Sequence, residues 1–164
     1  MTNSHRDDAV QTFLDAWRAR DPDALTEVFA PDVVLHSPII QSAFTGREAA
    51  QELYEILFNA FGHVDFVHQS HSGDVYVFSW SAELQGRVIE GVDLLRIDDS
   101  GCIVEVTVFM RPLAGLAAFA SAVGPRLASR RGRYRAPVVG LMGGVLRAVS
   151  KMADLVSPRL MQRR

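Results

Sequence analysis

Cysteine is almost missing from these 164 residues: Cys102 stands alone. No disulfide can close within the chain, and no cysteine cluster can hold a metal. A lone thiol suits a reducing compartment, and a cytoplasmic location is the expectation. No run of roughly 18 or more apolar residues occurs, which argues against a membrane-spanning helix. The opening residues MTNSHRDDAV are polar and acidic. They lack the apolar centre of a secretory signal, so none is expected. Internal repeats and low-complexity linkers are absent, as is the Gly-x-Ser-x-Gly of an exposed serine nucleophile. The five histidines form no His-x-Glu or His-x-x-x-His pair. A metal site is therefore not expected, and no cofactor is implied.

What is present describes one domain with an appendage. Apolar residues make up 48% of the chain, enough to build a core. The net charge of −2 conceals a division. Residues 1–124 hold seven basic and eighteen acidic side chains, a net −11, whereas residues 125–164 hold ten basic and one acidic (Asp154), a net +9. Such asymmetry speaks of partners. The stretch 125–137, PRLASRRGRYRAP, carries five arginines, and an apolar stripe of Val138, Leu141, Met142, Val145 and Val149 follows at helical spacing. A cationic segment beside an amphipathic helix fits docking on another subunit or peripheral contact with an anionic membrane. The apolar helix argues for such a surface rather than for nucleic acid.

Val10, Phe13, Leu14 and Trp17 fall at i, i+3, i+4 and i+7 and predict a helix over 7–20. A short second helix follows, with Asp21 as its N-cap, Pro22 in its first turn and Pro31 ending it. VVLHSP (33–38) reads as a short strand, and a loop leads on to Thr45-Gly46. Residues 47–61 predict a third helix with Gly62 as its stop. Four strands are predicted at 63–71, 74–84, 87–98 and 102–110. Their short turns imply an antiparallel meander. Residues 113–128 turn helical again. This order predicts an α+β fold, a curved antiparallel sheet wrapped around N-terminal helices. Its main domain is placed at 1–111 and a helical C-terminal extension at 112–164.

One strand poses a question. In VIEGVDLLRID (88–98), Ile89, Gly91, Asp93, Leu95 and Ile97 share a face. That face reads as core, yet it carries a carboxyl. Burial there should raise the Asp93 pKa, and a neutral acid can donate a hydrogen bond.

The strings AVQTFLDAWRARDPDALTEVFAPDVVLHSP (9–38), FTGREAAQELY (44–54) and GVDLLRIDDSGCIVEV (91–106) resemble the nuclear transport factor 2-like superfamily, in the branch of ketosteroid isomerases and SnoaL-like polyketide cyclases. The resemblance implies a sheet curled around a conical pocket. It assigns Asp93 to the family's protonated pocket acid and Tyr54 to its supporting tyrosine. Ser37, before Pro38, stands where the family keeps its base, and Phe13 where it keeps an oxyanion tyrosine. The epoxide-hydrolase branch needs a second pocket aspartate, for which this chain offers no counterpart.

The expected catalytic set is thus Asp93 as proton donor, His36 or His68 as base, and Tyr54 as support. His36 follows Val34 along the first strand. His68 follows Val64 and Phe66 along the second, so either imidazole can enter the cone. Tyr76, Phe78 and Trp80 alternate along one strand and should face the helices. With Phe13, Trp17, Ser37, Phe44 and Met110 they are expected to line a site for a small apolar ligand. Arg111 either binds a ligand carboxylate or caps its strand. Two readings follow: acid–base isomerisation, cyclisation or hydration of an apolar, oxygen-bearing ligand, or a non-catalytic binding module that forms a homodimer through its sheet.

Overall fold

The computed structural model describes residues 2–130. The basic run from 131 onward and the apolar stretch 138–156 lie outside the described residues. Helix α1 spans Thr2–Ala19 and buries Val10, Phe13 and Leu14, as their spacing predicts. Helix α2 (Pro22–Glu27) starts sharply at Asp21 and closes at Val28, before the Pro31 expected to end it, which lies in the next strand. The Asp21 carboxylate accepts from the backbone N–H groups of Asp23 and Ala24, both at 3.0 Å. Strand β1 (Phe29–His36) is longer than the sequence suggests, and its pairing is irregular around Pro31. The expected loop contains a two-residue strand, β2 (Phe44–Thr45), paired with β1.

Helix α3 (Arg47–Ala60) buries Ala50, Tyr54 and Leu57. Gly62 does not end it through a left-handed turn. Phe61 breaks the helix by going extended, and the Gly62 N–H then bonds to the Glu83 carbonyl at 3.1 Å. Strands β3 (Val64–Ser72), β4 (Val75–Leu84), β5 (Arg87–Ile97) and β6 (Ile103–Arg111) form the antiparallel meander. The β4–β5 turn places both Gln85 and Gly86 at positive φ, 53° and 72°. Two such residues match the twist of a tight hairpin.

The sheet order is β2-β1-β6-β5-β4-β3. One pair departs from the expected antiparallel pattern: β1 runs parallel to β6. The whole meander separates those two strands in sequence, so no tight turn fixes their relative direction. Helix α4 (Leu113–Arg130) packs across β4, β5 and β6 and against α3. Its Ala114, Ala117, Ala118, Phe119 and Val123 are buried. The start of the predicted extension is therefore part of the body's core.

Aromatic rings fill the space between helices and sheet. Phe13 meets the edge of Tyr54 and stacks on Phe78, both at 6.3 Å. Trp17 meets Phe58 edge-on at 4.9 Å. Burying each such side chain contributes about 1.5–3 kcal/mol.

Candidate functional site

Strand β5 alternates as its sequence requires. Ile89, Leu95 and Ile97 are wholly buried, and Asp93 is 4% exposed on the same face. Phe78 of β4 and Val108 of β6 stand opposite it on either side. The Trp80 indole N–H donates to Asp93 Oδ1 at 2.8 Å. Burial raises the Asp93 pKa to about 7, and the indole bond pulls the other way. Tyr54, from α3, has its phenol held well above the usual range, first by burial and then by the charge of Asp93.

These groups border a cavity of about 730 Å³. Helix α3 gives it Leu53, Tyr54 and Leu57, and the strands give it Leu35, Trp80, Asp93, Val106, Val108 and Met110. Phe119, Val123 and Leu127 of α4 and the Ser37–Ile40 loop complete the wall. The wall is almost entirely hydrocarbon. Asp93 can meet a ligand oxygen as a donor when protonated, or take up a proton when ionised.

Several expected site residues are in place: Asp93, Tyr54, Trp17, Ser37, Phe44, Trp80 and Met110 all border the cavity. The Trp17 indole nitrogen is buried without a hydrogen-bond partner among the described residues. The Ser37 hydroxyl accepts from the Ile39 N–H at 3.2 Å, closing a local turn.

Others lie elsewhere. His36 touches the cavity at the end of β1, but its Nε2 sits 2.9 Å from Glu105 Oε1, and Glu105 is also paired with Arg96. Its imidazole belongs to a polar cluster on the far face of the sheet. His68 is turned away for a different reason. A bulge at Val67 inserts one residue, so Phe66 faces Trp80 but His68 faces Ser79. The inward alternation of Val64 and Phe66 does not continue to His68. Arg111 lies opposite Glu90 and pairs with its carboxylate at 2.9 Å, outside the cavity. Phe13 and Phe78 are wholly buried core rings behind the wall. Tyr76 is buried too, and its hydroxyl donates to Asp7 at 2.9 Å, tying β4 to the start of α1.

A family model described as a SnoaL-like domain matches residues 10–106. The chain belongs to the SnoaL-like family. A steroid Delta-isomerase from Nocardioides simplex is 28% identical over 108 residues, covering 63% of this SnoaL-like chain and 88% of that protein. The crystal structure of a steroid Delta-isomerase from Pseudomonas aeruginosa superposes with a TM-score of 0.73 at 28% identity, covering 77% of this chain and 93% of that one. The epoxide hydrolase/cyclase-like enzyme SalBIII shares the fold, with a TM-score of 0.58 at 20% identity over 66% of this chain and 92% of its own.

The sequence reading of this SnoaL-like site missed its α4 wall and the paired isoleucines Ile39 and Ile40. The signal for α4 was its alanine-rich face with Phe119 and Val123 at i and i+4. That pattern marks packing against a neighbour without naming it. On β6, Met110 was expected at the site, but the alternation that places Val106 and Val108 beside it went unused.

Proposed function

We propose that this chain binds a mostly apolar small molecule bearing an oxygen and moves a proton on it, by isomerisation, cyclisation or hydration. Asp93 carries the proton. One observation supports this above all: a buried carboxyl, held by Trp80, borders a hydrocarbon-walled cavity of about 730 Å³. Small-molecule sites span roughly 300–1,000 Å³.

Near neutral pH a carboxyl with a pKa of about 7 is divided between its two forms. A single group can then accept a proton from ligand carbon in one step and return it in the next. No histidine base is required, which agrees with the outward placement of His36 and His68. Tyr54 stays a neutral hydroxyl at the same wall. The likeness to two steroid Delta-isomerases at 28% identity supports a steroid as the first substrate to test.

Ultraviolet absorbance follows the migration of a steroid double bond into conjugation. The wild type is expected to accelerate it, and Asp93→Asn to lose at least about 100-fold of that rate. Equal rates in the two proteins would overturn the assignment.

Ser37 favours a second reading. It holds the place where the family resemblance puts the base, and its hydroxyl is engaged by Ile39. A binding protein without turnover would be stabilised by apolar ketones in a thermal-shift panel while yielding no product. Assembly through the open sheet face belongs to this reading. Val88 and Phe109 are exposed there, and sedimentation at several concentrations tests for a homodimer.

A further inference from the structure

We propose that Gly91 and Trp80 are positioning residues for Asp93. The bare Cα of Gly91 lets the indole lie across β5, where its N–H holds Oδ1 and leaves Oδ2 to meet the ligand. This rests on the reading of Asp93 as the proton-carrying group and states how that group is aimed.

The strand register makes the arrangement. Trp80 stands opposite Gly91, and Phe78 stands opposite Asp93. Trp80 therefore reaches Asp93 along the diagonal, one inward-facing place away, a span open to a large aromatic side chain. The reach requires the indole to pass directly over residue 91. A Cβ there would fall 2.2 Å from Trp80 Cζ2 and 2.4 Å from Cε2. Cε2 is bonded to the donor nitrogen, so any shift that relieved the clash would also move the N–H away from Oδ1. Phe61 meets the indole edge-on at 5.9 Å, so the ring is packed on a second side as well.

A carboxyl with one oxygen held at 2.8 Å cannot rotate freely, and its second oxygen acquires a fixed direction. The same N–H favours the charged form of the acid. Trp80 therefore governs both the aim of Asp93 and the pH at which its proton leaves. Tyr54 is the titratable neighbour, and it is the charge of Asp93 that acts on its phenol. His36, whose residue borders the cavity, has its imidazole paired with Glu105. Among the described residues, neither α1, α4 nor β6 brings a titratable side chain to the cavity wall.

The two indoles of the chain make the test direct. In 15N-labelled protein, the Trp80 indole signal should shift with pH at the same midpoint as the 13C signal of the Asp93 carboxyl, while the Trp17 signal should not follow it. Trp80→Phe should raise the Asp93 midpoint by about one to two pH units, the usual worth of a hydrogen bond to a charged group. Gly91→Ala should raise it in the same sense. Added to Trp80→Phe, Gly91→Ala should shift it no further, because its effect passes through the indole. If Gly91→Ala alone does not fold, Trp80→Phe decides the matter.

An unmoved midpoint in Trp80→Phe would overturn the proposal. So would a Gly91→Ala shift that persists in full without the indole. Turnover is read separately. A midpoint shift in a protein that turns over no steroid would support the positioning and count against the catalytic reading. An unmoved midpoint in an active protein would do the reverse.

Discussion

Replacing Asp93 by asparagine should stabilise the protein progressively, relative to wild type, as pH rises above mildly acidic values. In the unfolded chain this aspartate titrates near 3.8, and in the fold near 7. Between those values the folded state keeps a proton that the unfolded state has lost. Stability therefore falls as pH rises through that window and levels off above it. At about 1.4 kcal/mol for each pH unit, the gap corresponds to about 4 kcal/mol. Domains of this size are stable by only about 5–15 kcal/mol, so the loss is a large share.

Asparagine has no proton to lose. Its amide oxygen can still accept from Trp80, which stands 2.8 Å from Oδ1 in the wild type. The amide brings its own fixed cost or gain, but that part does not vary with pH. The assay is urea unfolding of both proteins from pH 4 to pH 8.5. The stability of Asp93→Asn relative to wild type should climb by about 4 kcal/mol between pH 4 and pH 7, then stay level. A pH-independent difference would refute the reasoning, since it would place the Asp93 carboxyl in water with an ordinary pKa. If the difference does climb with pH, the carboxyl lowers stability near neutral pH, the trade expected when a group is kept for chemistry at the expense of the fold.

Val108→Phe should fill the cavity beside Asp93, and calorimetry should show at least tenfold weaker binding of an apolar ligand in a protein that remains folded. His68→Ala and Arg111→Ala should leave ligand affinity within about twofold, since both side chains point away from the cavity; a tenfold loss in either would contradict the placement. Asp21→Ala removes both capping bonds of α2 and should cost about 0.5–2 kcal/mol in urea unfolding. Phe13→Ala should cost about 3–5 kcal/mol, because this wholly buried ring joins Tyr54 to Phe78.

The course of the chain through helices and strands was legible because its punctuation is strong. Asp21-Pro22 starts a helix, and Gln85-Gly86 and Asp99-Ser100-Gly101 turn strands. The position of Asp93 was legible for a simpler reason: one carboxyl interrupts an apolar alternation. Its partner was not. Trp80 looked like one more inward aromatic. Its bond to Asp93 depends on a cross-strand diagonal that only the register reveals. The two histidines failed for distinct physical causes. At His68 the bulge at Val67 reversed the parity of the strand, and nothing in VDFVHQSH announces an extra residue. At His36 the buried face of β1 belongs to Val33 and Leu35, so the imidazole falls on the opposite face, where Glu105 meets it. The parallel pairing of β1 with β6 was equally hidden, since the two strands lie far apart in sequence.

The bulge at Val67 has an effect beyond turning one imidazole. Among the described residues strand β3 is the outermost on its side, with β4 as its one neighbour. A long, regular border strand presents a row of unpaired amides on which another polypeptide can zip, and irregularity interrupts that row. Beyond Val67 the strand continues as His68, Gln69, Ser70, His71 and Ser72, all hydrophilic and exposed. The opposite margin, β2, is only two residues long. Both borders of the sheet are thus poor templates for strand addition, so copies of this protein that meet in solution should do so flat against flat rather than growing end to end into fibres.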